Sequence, residues 1–269
     1  MFSDFLIVFR ESLEAALVIG IILAFLRKTN RTYLQKHVFL GVVAGIIASI
    51  LAAFLFSTFA GGFEGTAEQL FEGITMLFAS LMLTYMIFWM AKQEHVSRDL
   101  RRAVEKTIAE KNRLSLFFLS FISVFREGVE TVLFLGAASF SSSSGVSFLD
   151  AFIGIIGAVV LGFVIFETSM KVNIRQFFAV TSFFLILFSA GLFAHSVSEF
   201  QEAGAIPGFS EKAWDTSSIL GKQGAISEFA SSFFGYAPVP SVLRVFAYLL
   251  YISGIFIAFK NISVLHKFI

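Results

Sequence analysis

Residues 9–14 read Phe-Arg-Glu-Ser-Leu-Glu, and residues 125–130 read Phe-Arg-Glu-Gly-Val-Glu. Side chains three and four apart share a helical face. A helix would therefore gather Arg10, Glu11 and Glu14 on one side, and Arg126, Glu127 and Glu130 likewise. Both motifs lie within apolar stretches, where ionised groups are costly unless they pair or bind ions. Two arginines offset two of the four glutamates, leaving two carboxylate charges without a counter-charge. Crowded carboxylates in low dielectric hold a cation or take up a proton. An oxygen-binding hard cation fits: Fe²⁺, Fe³⁺, Mn²⁺, Mg²⁺ or Ca²⁺. Read structurally, the same residues are buried salt bridges that tie helices together, which leaves the excess negative charge unexplained.

Further polar residues flank these motifs. Glu64, Glu68 and Glu72 recur every four residues toward a third apolar span, as a ladder leading inward or as a solvated acidic loop. Glu72 falls near the start of that span, where the helix dipole favours a carboxylate. Glu199 and Glu202 form another Glu-x-x-Glu pair just past the sixth span. Asp4 is an entry residue or a helix cap. Glu167 is a release-side ligand or the i,i+4 partner of Lys171. His195 could take metal or shuttle protons, although a lone histidine there also suits an ordinary interfacial site. Arg244, inside the last span, either snorkels outward or pairs with an acidic residue. Met82, Met86 and Met90 share a face but read as packing. The chain has no cysteine, which excludes disulfides, zinc-thiolate sites and thiol nucleophiles.

The elements that must position these groups are membrane helices. Of 269 residues, 57% are hydrophobic and only 14% charged, 37 are phenylalanine, and the mean hydropathy is +0.84. A soluble domain cannot hide so much apolar surface. The net charge of +1 gives no pull toward nucleic acid. Seven stretches are long enough to cross the bilayer, near 5–26, 38–60, 71–91, 114–138, 150–168, 177–197 and 240–259. Fifteen lysines and arginines fall in one set of alternate connections and two in the other. The positive-inside rule then places the N-terminus outside and the C-terminus in the cytoplasm of a cell-membrane protein. Residues 92–113 read as a charged cytoplasmic linker and 198–239 as an extracytoplasmic loop.

The two motifs lie 116 residues apart. The sequence thus divides into a first three-helix repeat (1–91), a second of opposite orientation (114–197), and a seventh helix with the C-terminus (240–269). A unit of three spans changes sides, so the second copy enters from the opposite face. The expected fold class is an all-α polytopic membrane protein of seven transmembrane helices, a 3+3 inverted repeat plus a seventh helix. In such plans the substrate site lies near the midplane, at the repeat interface.

Arg-Glu-Ser-Leu-Glu at 10–14 and Arg-Glu-Gly-Val-Glu at 126–130 resemble the paired Arg-Glu-Gly-Leu-Glu motifs of the oxidase-dependent iron permease family. That family comprises the fungal high-affinity iron permeases and the bacterial EfeU-type permeases. Ser12 replaces the usual glycine and Val129 the usual leucine, and neither removes a ligand. Glu72-Gly73-Ile74-Thr75-Met76 resembles the family's third-span start. The resemblance implies iron as transported substrate with no permanently bound cofactor. It also implies Glu11, Glu14, Glu127 and Glu130 as the cluster and a capture role for Glu199 and Glu202. A separate oxidase or periplasmic iron-binding partner is implied as well, and a homo-oligomer is left open. Permeation of another divalent metal such as Mn²⁺ is the alternative within the class. An intramembrane di-metal oxidoreductase is the alternative outside it, although such sites usually carry Glu-x-x-His segments, and none occurs here. The expectation is a permease and not an enzyme.

Overall fold

In the computed structural model, the structure describes residues 2–92, 113–141, 145–167, 174–208, 211–217, 230–231 and 234–265. Seven long helices run through them: α1 (Phe2–Lys28), α2 (Gln35–Ala60), α3 (Thr66–Lys92), α4 (Arg113–Ser141), α5 (Phe148–Glu167), α6 (Ile174–Glu202) and α7 (Val242–Leu265). A 3₁₀ turn at Thr32–Leu34 leads into α2. Five of these helices contain a long apolar window almost free of charge. The exceptions are α1 and α4, and in both the motif's three charged residues interrupt the apolar run. Of the expected charged linker 92–113, Lys92 ends α3 and Arg113 begins α4, and 93–112 lie outside the described residues.

The packing has the symmetry of an inverted repeat. The most extensive contacts join α1 to α5, α2 to α4, and α3 to α6. Exchanging the repeats turns the first pair into the second and maps the third onto itself. Each motif helix therefore packs on the middle helix of the other repeat, and α1 and α4 also meet directly. The seventh helix, α7, stands outside this symmetry and packs on α6.

Small residues allow these approaches. A Cβ at Gly154 of α5 would stand 3.0 Å from the Phe5 carbonyl oxygen and the Phe9 nitrogen of α1. In the mirrored pair, a Cβ at Gly45 of α2 would stand 3.1 Å from the Phe121 oxygen of α4. Without water to drive apolar burial inside a bilayer, such close contact is what holds helices together. Hydroxyl groups supplement it. Ser189 of α6 donates to the Ser80 carbonyl of α3 at 2.9 Å and meets the Tyr251 hydroxyl of α7 at 2.6 Å, and Thr84 also bonds Tyr251. The outward faces of α2 and α5 present Phe39, Ile47, Phe54, Phe152, Val159 and Phe163, the surface that a lipid solvent requires.

Helix ends differ from the expected spans in one respect that bears on function. The sixth helix continues to Glu202, so Glu199 and Glu202 occupy its last turn and not the loop beyond it. The described part of the 198–239 connection folds back on the start of α7. Ala213 N–H donates to the Pro240 carbonyl and Val242 N–H to that of Glu211, both at 2.9 Å.

Candidate metal centre

The α1 and α4 helices present their motif faces to one another. Arg10 has no exposed surface. Its Nη1 lies 3.1 Å from Glu11 Oε1 and its Nη2 lies 3.0 Å from Glu14 Oε1. The same Nη2 donates to the Met90 sulfur at 2.9 Å. On α4, Arg126 Nε lies 2.8 Å from Glu130 Oε1 and 3.9 Å from Glu127 Oε1. Its guanidinium lies over the Trp89 ring, 5.8 Å from the centroid. Trp89 and Met90 are consecutive residues near the end of α3, so one segment of that helix touches both motif arginines. Nothing in the spacing of the sequence pointed to Trp89. Met90 reads in the sequence as packing, because no acidic or histidine residue shares its face, and its contact with Arg10 joins positions eighty residues apart.

The carboxylates of Glu11, Glu14 and Glu127 converge, with one oxygen from each within 4.8 Å of the others. Glu130 stands beside them but gives Oε1 to Arg126. Among the described residues, Glu11 Oε2, Glu127 Oε2 and Glu130 Oε2 are buried without a hydrogen-bond donor. Glu14 Oε1 meets Arg10 as an ion pair out of hydrogen-bond alignment. A buried, unpartnered carboxylate oxygen is an expensive group. Carboxylates gathered this closely could hold a hard cation, with water completing its shell. The group lies in the first half of α1 and halfway along α4.

A second acidic group forms where α3 crosses α6. Gly73 lets the helices close there, since a Cβ on it would stand 3.2 Å from the Glu199 Cβ. Glu72 comes within electrostatic reach of Glu199, Glu68 and Glu202. Glu199 is nearly buried, while Glu68 and Glu202 are exposed. Glu64 precedes the first residue of α3 and is exposed, so the helical ladder has only the rungs Glu68 and Glu72. His195 Nε2 lies 3.4 Å from Glu199 Oε1, and Arg244 Nη2 lies 3.0 Å from His195 Nδ1. Asp4 is buried and accepts from the Ser147 N–H at 2.9 Å, the residue just before α5. It therefore ties α1 to the start of α5. Glu167 is the last residue of α5, and its side chain is outside the described residues.

The family profile described as "Iron permease FTR1 family" matches residues 1–266. A ferrous iron permease EfeU from Escherichia coli O157:H7 is 35% identical over 263 residues, covering 96% of this chain and 95% of the relative. A ferrous iron permease EfeU from Yersinia pestis is 34% identical over 263 residues, covering 96% and 93%. No solved structure matches the chain.

Proposed function

The chain belongs to the iron permease FTR1 family, and from that premise we propose that it imports iron through the carboxylate group of its two Arg-Glu-x-x-Glu motifs. The convergence of Glu11, Glu14 and Glu127 within 4.8 Å, with buried oxygens lacking donors, is the observation that carries this reading. Glu130 completes the set from beside Arg126. A position near the bilayer midplane follows if α1 and α4 cross the hydrocarbon at the level of their motifs. The ferrous iron named for the relatives makes Fe²⁺ the first ion to test.

Each arginine restrains the site. Four free carboxylates would hold a multivalent cation too tightly to release it, and transport requires that the ion leave. Arg10 and Arg126 occupy one oxygen or more of each pair and reduce its charge. The Glu68, Glu72, Glu199 and Glu202 group collects cations at the outer mouth. Rocking of one repeat against the other would expose the inner group to each side in turn. In this reading the N-terminus faces outward, the C-terminus is cytoplasmic, and any oxidase or periplasmic iron-binding partner is a separate chain.

Uptake of radiolabelled iron into proteoliposomes, supplied as Fe²⁺ under reductant and then as Fe³⁺, tests the proposal, with Mn²⁺ as competitor. Saturable iron uptake that outruns Mn²⁺ supports it. Preference for Mn²⁺ would reassign the cargo, and no uptake of any of the three ions by folded protein would overturn it.

A further inference from the structure

The three arginines within the spans are Arg10, Arg126 and Arg244, and two of them belong to the repeated motif. Arg244, on α7, has no glutamate next to it in sequence. In space it reaches the end of α6, where Nη2 lies 3.0 Å from His195 Nδ1 and 3.3 Å from the Gly235 carbonyl oxygen. Glu199 and Glu202 are both within electrostatic reach of its guanidinium. A guanidinium has donors only, so His195 Nδ1 must accept from it. The ring proton then belongs on Nε2, which faces Glu199 Oε1 at 3.4 Å. Arg244 thus donates to His195, and the Nε2 side of the ring stands within ion-pair range of Glu199.

We propose that Arg244, acting through His195, is the positioning residue of the outer pair Glu199 and Glu202, so that α6 and α7 assemble in space a third arginine–Glu-x-x-Glu unit. The proposal rests on the iron-permease reading for what the pair binds. It gives α7, which the repeat symmetry leaves unexplained, a task in transport. It also gives His195 a role other than ligand or proton shuttle, since Nδ1 is taken by Arg244 and Nε2 faces Glu199. A histidine held in one tautomer by a partner on its far nitrogen is how metal sites orient their ligands. Here the ligand being oriented is the carboxylate. Gly235 lies against Gly191 so tightly that neither position has room for a Cβ, which fixes the second acceptor of Arg244.

Fe²⁺ uptake by proteoliposomes separates the roles, using His195→Leu, His195→Gln and Arg244→Leu. Glutamine carries an acceptor and a donor on one carbon, so it can accept from Arg244 and donate to Glu199 without being an imidazole. We expect His195→Leu and Arg244→Leu to raise the KM about tenfold, the low end of outer-shell losses, with the maximal rate within about twofold. His195→Gln should stay within about twofold of the unsubstituted protein in both. If His195→Gln is as impaired as His195→Leu, or if neither leucine variant moves the KM, the proposal falls. Nitrogen NMR of the reconstituted protein, with His195→Gln identifying the signal, supplies a readout without iron. The expected His195 ring has a bare Nδ1 and a protonated Nε2, and Arg244→Leu should abolish that single form. A protonated Nδ1 in the unsubstituted protein overturns the proposal. Absence of all iron uptake, with the expected tautomer present, would instead count against the iron reading.

Discussion

Arg10 donates to the Met90 sulfur at 2.9 Å, and this contact ties the first motif to the end of α3. A thioether is a weak acceptor, yet the arginine has no exposed surface, and its Nε has no hydrogen-bond partner among the described residues. Met90→Leu preserves bulk and removes the acceptor, leaving another buried N–H unpaired. The expected loss is about 1 kcal/mol, read as a lower midpoint of thermal unfolding in detergent. Met90→Gln, whose amide oxygen can accept, should recover part of it. An unchanged midpoint for Met90→Leu would mean that the sulfur has no weight in holding Arg10.

The departure at Ser12 has a structural counterpart. In the second repeat the matching residue is Gly128, and a Cβ there would stand 2.5 Å from the Cβ of Ser49 on α2. In the first repeat, Gly154 faces Val8 and Gly162 faces Ala16. The register between those contacts sets Ala158 opposite Ser12. Each crossing thus pairs a serine with a smaller residue, with the serine on the motif helix in one case and on its partner in the other. Gly128→Ser alone should cost about 1–3 kcal/mol by overpacking. Adding Ser49→Gly should return part of that loss, with a coupling energy of about 0.5–3 kcal/mol in a double-mutant cycle. Additive effects would show that the two residues do not share the space.

Much of this arrangement was legible in the sequence because it is periodic or repeated. The motif glutamates recur at helical spacing and at a constant offset, so both their common face and their meeting across an inverted repeat could be read from one chain. Trp89, and the role of Met90, could not, because a single long-range contact leaves no local pattern. The end of α6 also differs from the expected span, which stops near 197. The polar run Ser196-Val197-Ser198-Glu199 looks like a membrane exit, but α6 continues past it, held by packing on α3 and α7. That continuation turns Glu199 from a loop residue into a nearly buried one beside Glu72. For Arg244 the sequence allows snorkelling outward or pairing with an acidic residue, and only the fold shows that its guanidinium bonds His195 and the Gly235 carbonyl.

Orientation can be tested without background labelling, since the chain has no cysteine. Tyr33, between α1 and α2, is 60% exposed, and Gly62, between α2 and α3, is also exposed. The charge asymmetry of the connections places Tyr33 in the cytoplasm and Gly62 outside. A membrane-impermeant maleimide should label Gly62→Cys in intact cells, and Tyr33→Cys only after permeabilisation. The reverse pattern would invert the proposed topology and exchange the entry and release sides.

The four motif glutamates should not be equivalent in transport. Glu11, Glu14 and Glu127 form the converging group, whereas Glu130 already gives Oε1 to Arg126 at 2.8 Å. Glutamine keeps the volume of each side chain and removes its charge. Glu11→Gln, Glu14→Gln and Glu127→Gln should each reduce initial iron uptake by at least about tenfold, the scale on which metal sites respond to lost support. Glu130→Gln should cost less, about threefold, because Arg126 is half-exposed and retains the Trp89 ring. Elution as a single folded species checks that each variant inserts and packs. Near-normal uptake by all three of the first set would remove the cluster from the path of the ion. A Glu130→Gln loss as deep as that of Glu14→Gln would show that the ion displaces Arg126 and takes all four carboxylates.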